Sequence, residues 1–177
     1  MRSVQQSILD AVMQLKPLPV ALLDVGCGTG AFTLALSSCL PNTTVTGLDR
    51  THPRYFSGAS NLRFAQGSVE ELPFAAESFD AVIASLSMHH WNDIKKGIRE
   101  IFRVLRGDGH LIIGDPLLMG WMSNRTLGRL MQRIDGGVFA QPQELKTHLT
   151  EAGFESATIE VVPHSMGSQF LIRAHKP

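Results

Sequence analysis

The chain has 177 residues, 44% hydrophobic and 18% charged, a composition that can bury one core and that excludes a disordered chain. Sixteen Lys and Arg balance sixteen Asp and Glu, so no global attraction draws nucleic acid or an anionic membrane. Two cysteines, Cys27 and Cys39, exclude a disulfide framework and read as reduced thiols of a cytoplasmic protein.

Residues 3–16 predict an amphipathic helix with Val4, Ile8, Val12 and Leu15 on one face. Ser3 and Gln6 have the spacing of a capping box, and Pro17 and Pro19 end the helix. Nothing in this segment is a signal peptide: no basic start runs into a long apolar block. No apolar run approaches the ~20 residues that span a bilayer. Val20–Val25 is a first strand, apolar on both faces as a central parallel strand is. Helix Ala31–Leu40 follows and stops before Pro41; Thr43–Leu48 is a second strand with Asp49 just past its end, and Asn61–Ala65 a short third. The connection between the last two, with Pro53 and Gly58, is thinner than a crossover helix.

Phe79–Ser85 reads as the fourth strand. A helix with Ile94, Ile98, Ile101, Phe102 and Leu105 on one stripe comes next, capped by Asn92 or Asp93. Gly107-Asp108-Gly109 is its exit turn and His110–Gly114 a fifth strand, ending at Asp115-Pro116. A helix at Asn124–Ile134, closed by Gly136-Gly137, lies in an irregular stretch over 117–140, and helix Pro142–Ala152 stops at Gly153. The runs Ala157–Val162 and Gln169–Ala174 are too closely linked to pair other than antiparallel. The whole is one α/β domain over 1–177, a doubly wound sheet whose last strand opposes the rest. Such sheets bind ligands beyond the carboxyl ends of their central strands.

The first strand runs straight into Gly26-Cys27-Gly28-Thr29-Gly30 and a helix, the arrangement of a cofactor-binding corner. With Ala31 it also satisfies the dinucleotide fingerprint, and Asp49 lies near the expected offset of a ribose-binding acid. Asp24 discriminates between cofactors. A carboxylate beside a pyrophosphate is repelled, more so in a poorly solvated crevice, whereas a cationic amino-acid head is favoured. S-adenosylmethionine has a ribose, an α-amino group and a sulfonium, and no phosphate.

These residues resemble the class I S-adenosylmethionine-dependent methyltransferases, in the small-molecule branch that includes ubiquinone and menaquinone methyltransferases. Leu23-Asp24-Val25-Gly26-Cys27-Gly28-Thr29-Gly30 looks like the first motif, and Gly47-Leu48-Asp49 and Gly67-Ser68-Val69-Glu70-Glu71-Leu72-Pro73-Phe74 continue it. So do Ser78-Phe79-Asp80-Ala81-Val82, Met88-His89-His90-Trp91 and Arg99-Glu100-Ile101-Phe102-Arg103-Val104-Leu105. The resemblance implies a Rossmann-like seven-stranded sheet of order 3-2-1-4-5-7-6 with helices on both faces. It implies that Asp24, Gly26, Cys27, Gly28 and Gly30 hold the methionine end of S-adenosyl-L-methionine. Asp49 would bind the ribose hydroxyls, Arg50 cover the adenine, Ser68 and Val69 meet its edge, and Ser85 meet the amino-acid head. The product would be S-adenosyl-L-homocysteine. Three features depart from the pattern: Ser68 stands where the family usually has Asp, Arg106-Gly107-Asp108-Gly109 replaces Pro-Gly-Gly, and the thin connection between the second and third strands predicts a partly open adenine pocket. The neutral hydroxyl predicts looser cofactor binding, by about 1 kcal/mol.

Methyl transfer from a sulfonium needs mainly alignment and a dry site, with a base only for an acceptor protonated at working pH. His90, His89 and Asp115 are the candidates for that role, and the adjacent histidines lack a third ligand for a metal. Met88, Trp91, Trp121 and Met122 could line an apolar acceptor pocket, the last two within a substrate lid over 117–140; core packing is the rival reading for Trp91. The short accessory segments predict a shallow acceptor site, completed by a second subunit or by a large substrate. The acceptor expected is a small molecule. An RNA or protein methyltransferase, or a cofactor-binding subunit that supports a partner, stays open beside it. Against the first stand the neutral charge and a fourth strand ending in Ser85-Leu86-Ser87-Met88 instead of Asn/Asp-Pro-Pro-Tyr.

Overall fold

The computed structural model describes residues 3–51, 59–117, 142–164 and 167–177. Trp121, Met122, the helix expected at 124–134, most of the lid expected over 117–140 and the connection at 52–58 lie outside the described residues.

The elements are α1 (Val4–Gln14), β1 (Ala21–Val25), α2 (Ala31–Cys39), β2 (Thr44–Asp49), β3 (Leu62–Gln66) and β4 (Phe79–Ser85). A 3₁₀ turn at Met88–His90, not foreseen from the sequence, leads to α3 (Ile94–Val104) and β5 (Leu105–Leu117). After the undescribed stretch come α4 (Pro142–Ala152), β6 (Glu155–His164) and β7 (Gly167–His175). The seven strands form one sheet in the order β3-β2-β1-β4-β5-β7-β6. β1 to β5 pair in parallel, and β7 runs antiparallel to both β5 and β6. This is the expected topology.

Neighbouring residues on a strand point to opposite faces, so a strand covered on both sides must be apolar at consecutive positions. Leu22, Ile83 and Ile112 join Ile8, Val12 and Leu36 from α1 and α2 in one core. Leu23, Val82 and Leu111 join Ile98, Ile101, Leu145 and Leu149 from α3 and α4 in the other. Each such buried side chain contributes about 1.5–3 kcal/mol of transfer free energy. The two layers cover β1 and β4 on both faces at the centre of the sheet. No helix among the described residues is long and apolar enough to cross a membrane.

Several boundaries differ from expectation. α1 ends at Gln14 because Lys16, preceding Pro17, is disfavoured in helical backbone, and Leu15 already turns extended. Only half of the capping box forms: Ser3 accepts from the Gln6 N–H, while the Gln6 side chain bonds Asp10 instead of returning. Asp93, not Asn92, caps α3, accepting from the Lys96 N–H at 2.8 Å. Leu105 begins β5 instead of closing the helix, and Gly107-Asp108-Gly109 lies inside that strand. Opposite Phe79 and Ala81 on β4 stand Leu105 and His110, so the ladder bulges between them. Asp108 takes φ 62°, which Asp tolerates, and Arg106 pins the bulge to Asp80 at 2.6 Å and to the Glu77 carbonyl. Lys176 then reaches the last turn of α3, donating to the carbonyls of Phe102 (2.9 Å) and Leu105 (2.6 Å). Those acceptors have no partner within a helix, and a cation at that end also suits the helix dipole.

Candidate functional site

The corner after β1 is folded across β2. The N–H groups of Gly26 and Cys27 both donate to the Leu48 carbonyl, at 2.7 and 3.0 Å. Gly26 has φ 71°, and a Cβ built on it would lie 2.5 Å from the Ser87 Cβ. Only glycine fits there, because Ser87 closes in to donate its hydroxyl to the Val25 carbonyl at 2.8 Å. Gly28, at φ 56°, turns its N–H onto Asp49 Oδ2 at 2.8 Å. Gly30 stands at the start of α2, which no side chain caps, so its first N–H groups are available to a ligand.

Two carboxylates flank this corner in different states. Asp24 is 1% exposed; Thr33 donates to its Oδ2 at 2.7 Å, and Oδ1 has no partner among the described residues. Burial pushes its pKa up to about 6, with the Thr33 hydrogen bond opposing and the Asp49 charge adding. Asp49, half-buried at the end of β2, accepts from Gly28 and from the N–H and hydroxyl of Thr51. Burial works to raise its pKa, but these donors and the Arg50 charge outweigh it and hold it below the usual value. Cys27 is pushed up to about 12 by burial and then by both acids, so it carries a thiol and no nucleophilic thiolate.

A cavity of about 280 Å³ opens beside the corner. Of the expected cofactor residues, Gly26, Gly28, Asp49, Arg50, Ser68 and Val69 line it. Asp24, Cys27 and Gly30 do not line it: Asp24 lies within β1, Cys27 within the glycine loop, and Gly30 stands at the N-cap of α2. Ser85 does not line it; its hydroxyl is buried with no partner among the described residues, and Leu86 and Ser87 take its place on the wall. Leu86 is held at φ 52°, a strained conformation for an L-residue. Arg50 spans the mouth, donating to the His90 carbonyl at 3.3 Å.

Among the acceptor-side candidates, Trp91 serves two purposes: it is 6% exposed within the core and it lines the cavity. Met88 is 1% exposed and packs the core, out of reach of a ligand. Asp115 (1% exposed) and His89 (8%) form a buried pair. Nδ1 of His89 meets Asp115 Oδ1 at 2.7 Å, and its backbone N–H donates to Oδ2 at 2.8 Å. Burial raises the Asp115 pKa and the bonds to His89 oppose it. The exposed ring of His90 lies against that of His89, centroids 4.0 Å apart, and lines the cavity.

Sequence reasoning missed Leu86, Ser87 and Glu70 as wall residues. The first two immediately follow the carboxyl end of a central strand, a position that was itself the signal. Among the described residues no group of His, Cys, Asp or Glu could hold a metal. The residues present fit S-adenosylmethionine better than a dinucleotide. The orphaned buried oxygen of Asp24 calls for a donor, ideally a cationic one, and a pyrophosphate would meet two acids instead.

The family described as methyltransferase domain matches residues 23–113. The demethylmenaquinone methyltransferase of Roseiflexus sp. (strain RS-1) is 30% identical over 166 residues, covering 79% of this chain and 70% of the relative. The 27-O-demethylrifamycin SV methyltransferase of Amycolatopsis mediterranei (strain S699) is 33% identical over 153 residues, 80% of this chain and 56% of the relative. The chain spans 40% to 60% of the length of several other curated relatives it matches. The crystal structure of YcgJ from Bacillus subtilis superposes with a TM-score of 0.74 at 18% identity, covering 98% of this chain and 97% of that one, a likeness of fold. A family match over just over half its length, together with a 30% identical relative of which it spans 70%, makes the chain a member of the class I S-adenosylmethionine-dependent methyltransferases.

Proposed function

We propose that the chain transfers a methyl group from S-adenosylmethionine to a small-molecule acceptor. The observation that carries this reading is the buried, half-satisfied carboxylate of Asp24 beside a cavity whose rim holds a second, fully engaged carboxylate, Asp49. When bound, the cofactor supplies a methyl group on a positively charged sulfur that is already a good leaving group. The protein's part is to bind, align and exclude water. Asp24 neutralises the α-ammonium, with Gly26, Gly28 and the uncapped start of α2 around the amino-acid end. Asp49 accepts from the ribose hydroxyls; Ser68 and Val69 meet the adenine.

For an acceptor that must lose a proton, the exposed His90 is the group able to meet it. His89 and Asp115 hold the turn on which His90 stands, and Trp91 offers an apolar wall. The two relatives are named for demethylmenaquinone and 27-O-demethylrifamycin SV, which supports an organic small molecule here as well. A lid at 117–140, a second subunit completing the acceptor site and a cytoplasmic setting belong to the same reading.

The test is transfer of labelled methyl from S-adenosylmethionine by the purified protein into fractionated cell extract. Label in the small-molecule fraction is the expected result. Label confined to RNA or protein overturns the acceptor class, and calorimetric binding of NAD in preference to S-adenosylhomocysteine overturns the cofactor.

A further inference from the structure

The turn leaving β3 contains a coupling that the substitution of Ser68 for the family's usual Asp makes informative. The Gly67 N–H donates to the Asp49 carbonyl at 2.9 Å, which sets this turn beside the ribose end of the cavity. An antiparallel bridge between Ser68 and Glu71 closes the turn. Within it the Ser68 hydroxyl donates to Glu70 Oε2. The other oxygen, Oε1, accepts from the N–H of Asn92 at 2.7 Å and of Asp93 at 3.4 Å. Both Ser68 and Glu70 line the cavity.

A free hydroxyl is ambivalent, since it can donate or accept by rotating. At Ser68 that freedom is gone. An ionised carboxylate only accepts, so the hydroxyl proton must point at Glu70, and the oxygen turns nothing but lone pairs to the cavity. Burial works to raise the Glu70 pKa, but the Ser68 hydroxyl and the surrounding backbone N–H groups outweigh it and keep it below the usual value. We propose that the Ser68–Glu70 pair acts as a replacement for the missing aspartate: Glu70 locks Ser68 as a pure acceptor and so makes the site select a 6-amino purine over a 6-oxo purine. Glu70 is thus a positioning residue for base specificity. This rests on the cofactor reading above, with adenine at the Ser68 edge.

The variant Glu70→Gln separates this role from a structural one. The Asn92 and Asp93 N–H groups still hold the side-chain carbonyl, so the amide NH₂ faces Ser68. The hydroxyl must then accept from the amide and donate toward the base, reversing its preference. Binding of S-adenosylhomocysteine and of its 6-oxo analogue, S-inosylhomocysteine, is measured by calorimetry on wild type, Glu70→Gln, Ser68→Ala and Ser68→Asp. Wild type and Ser68→Asp are expected to prefer the adenine form by about 10- to 100-fold. In Glu70→Gln the ratio falls to about one or inverts, and in Ser68→Ala it falls to within about threefold of one. An unchanged ratio in a folded Glu70→Gln overturns the coupling, as does an unchanged ratio in Ser68→Ala. If Glu70→Gln fails to fold, the Ser68→Ala and Ser68→Asp ratios decide. Absence of S-adenosylhomocysteine binding to wild type instead sinks the cofactor reading itself.

Discussion

Thr33 Oγ1 on α2 donates to Asp24 Oδ2 on β1 at 2.7 Å, and among the described residues this is all the hydrogen bonding the buried carboxyl receives. One neutral donor does not compensate a buried charge. Ligand-free protein therefore stores the cost of Asp24, and a cationic head recovers it.

The cost has a pH signature. With a folded-state pKa of about 6 against an ordinary 3.8, native protein holds a proton on Asp24 that unfolded chain has lost between those values. Asp24's contribution to stability accordingly falls as pH rises from about 4 to about 6, by about 3 kcal/mol in total. Asp24→Asn removes the effect: at pH 7.5 the ligand-free variant should be more stable than wild type by up to that amount, with the gap closing toward pH 4. It should bind S-adenosylhomocysteine about 10- to 100-fold more weakly. Denaturant melts at both pH values and calorimetry check this; a variant less stable than wild type at pH 7.5 would contradict it. Wild type should also release a proton on binding near pH 6, visible as a buffer-dependent heat.

Asp49 is the converse case, already satisfied by three donors before any ligand arrives. Asp49→Ala removes the ribose acceptor and also frees the Gly28 N–H, which loosens the corner. Cofactor affinity should drop by about 10- to 100-fold, more than for Asp49→Asn, which keeps one acceptor oxygen. Equal losses in the two variants would show that the loop tether contributes nothing.

Much of this was legible in advance, and the rest was hidden for identifiable reasons. β4 and α4 were read to the residue because an apolar run and a proline-to-glycine frame mark their ends. Leu105 was misread because helical periodicity continues to place it on the stripe after the backbone has left the helix. Gly107-Asp108-Gly109 has the composition of a turn, and only the pairing of Arg106 with Asp80, 26 residues away in sequence, shows it to be a bulge. Asp24 and Asp49 were visible as acids at strand ends. Ser87 was visible only by its place just past a strand end; its contact with Val25 spans 62 residues of sequence, and sheet order creates it where local pattern does not encode it.

That Ser87 contact makes Gly26 sensitive. Gly26→Ala forces a side chain into φ 71° and to 2.5 Å from the Ser87 Cβ, so it should destabilise the protein by about 2–4 kcal/mol and abolish tight cofactor binding. Ser87→Gly in the same chain relieves the clash and leaves the dihedral strain, so the double variant should recover about half of the loss. Denaturant midpoints across the four proteins give the coupling; strict additivity would mean that the two residues do not meet.

His90 and Asp115 should separate cleanly in kinetics. His90→Ala removes the exposed ring from the cavity wall and leaves the buried pair intact. With an acceptor that must lose a proton, kcat should fall about 100-fold or more, while the S-adenosylhomocysteine Kd and the melting temperature stay near wild type. Asp115→Asn weakens the hold on His89, so it should lower stability by about 1–3 kcal/mol and shift kcat only as far as the Met88–His90 turn is displaced. The same pair measured with an acceptor that is unprotonated at working pH should lose the His90 effect altogether, because alignment then suffices. If Asp115→Asn instead lost the turnover at unchanged stability, and His90→Ala did not, the buried pair would be the base and His90 its cover.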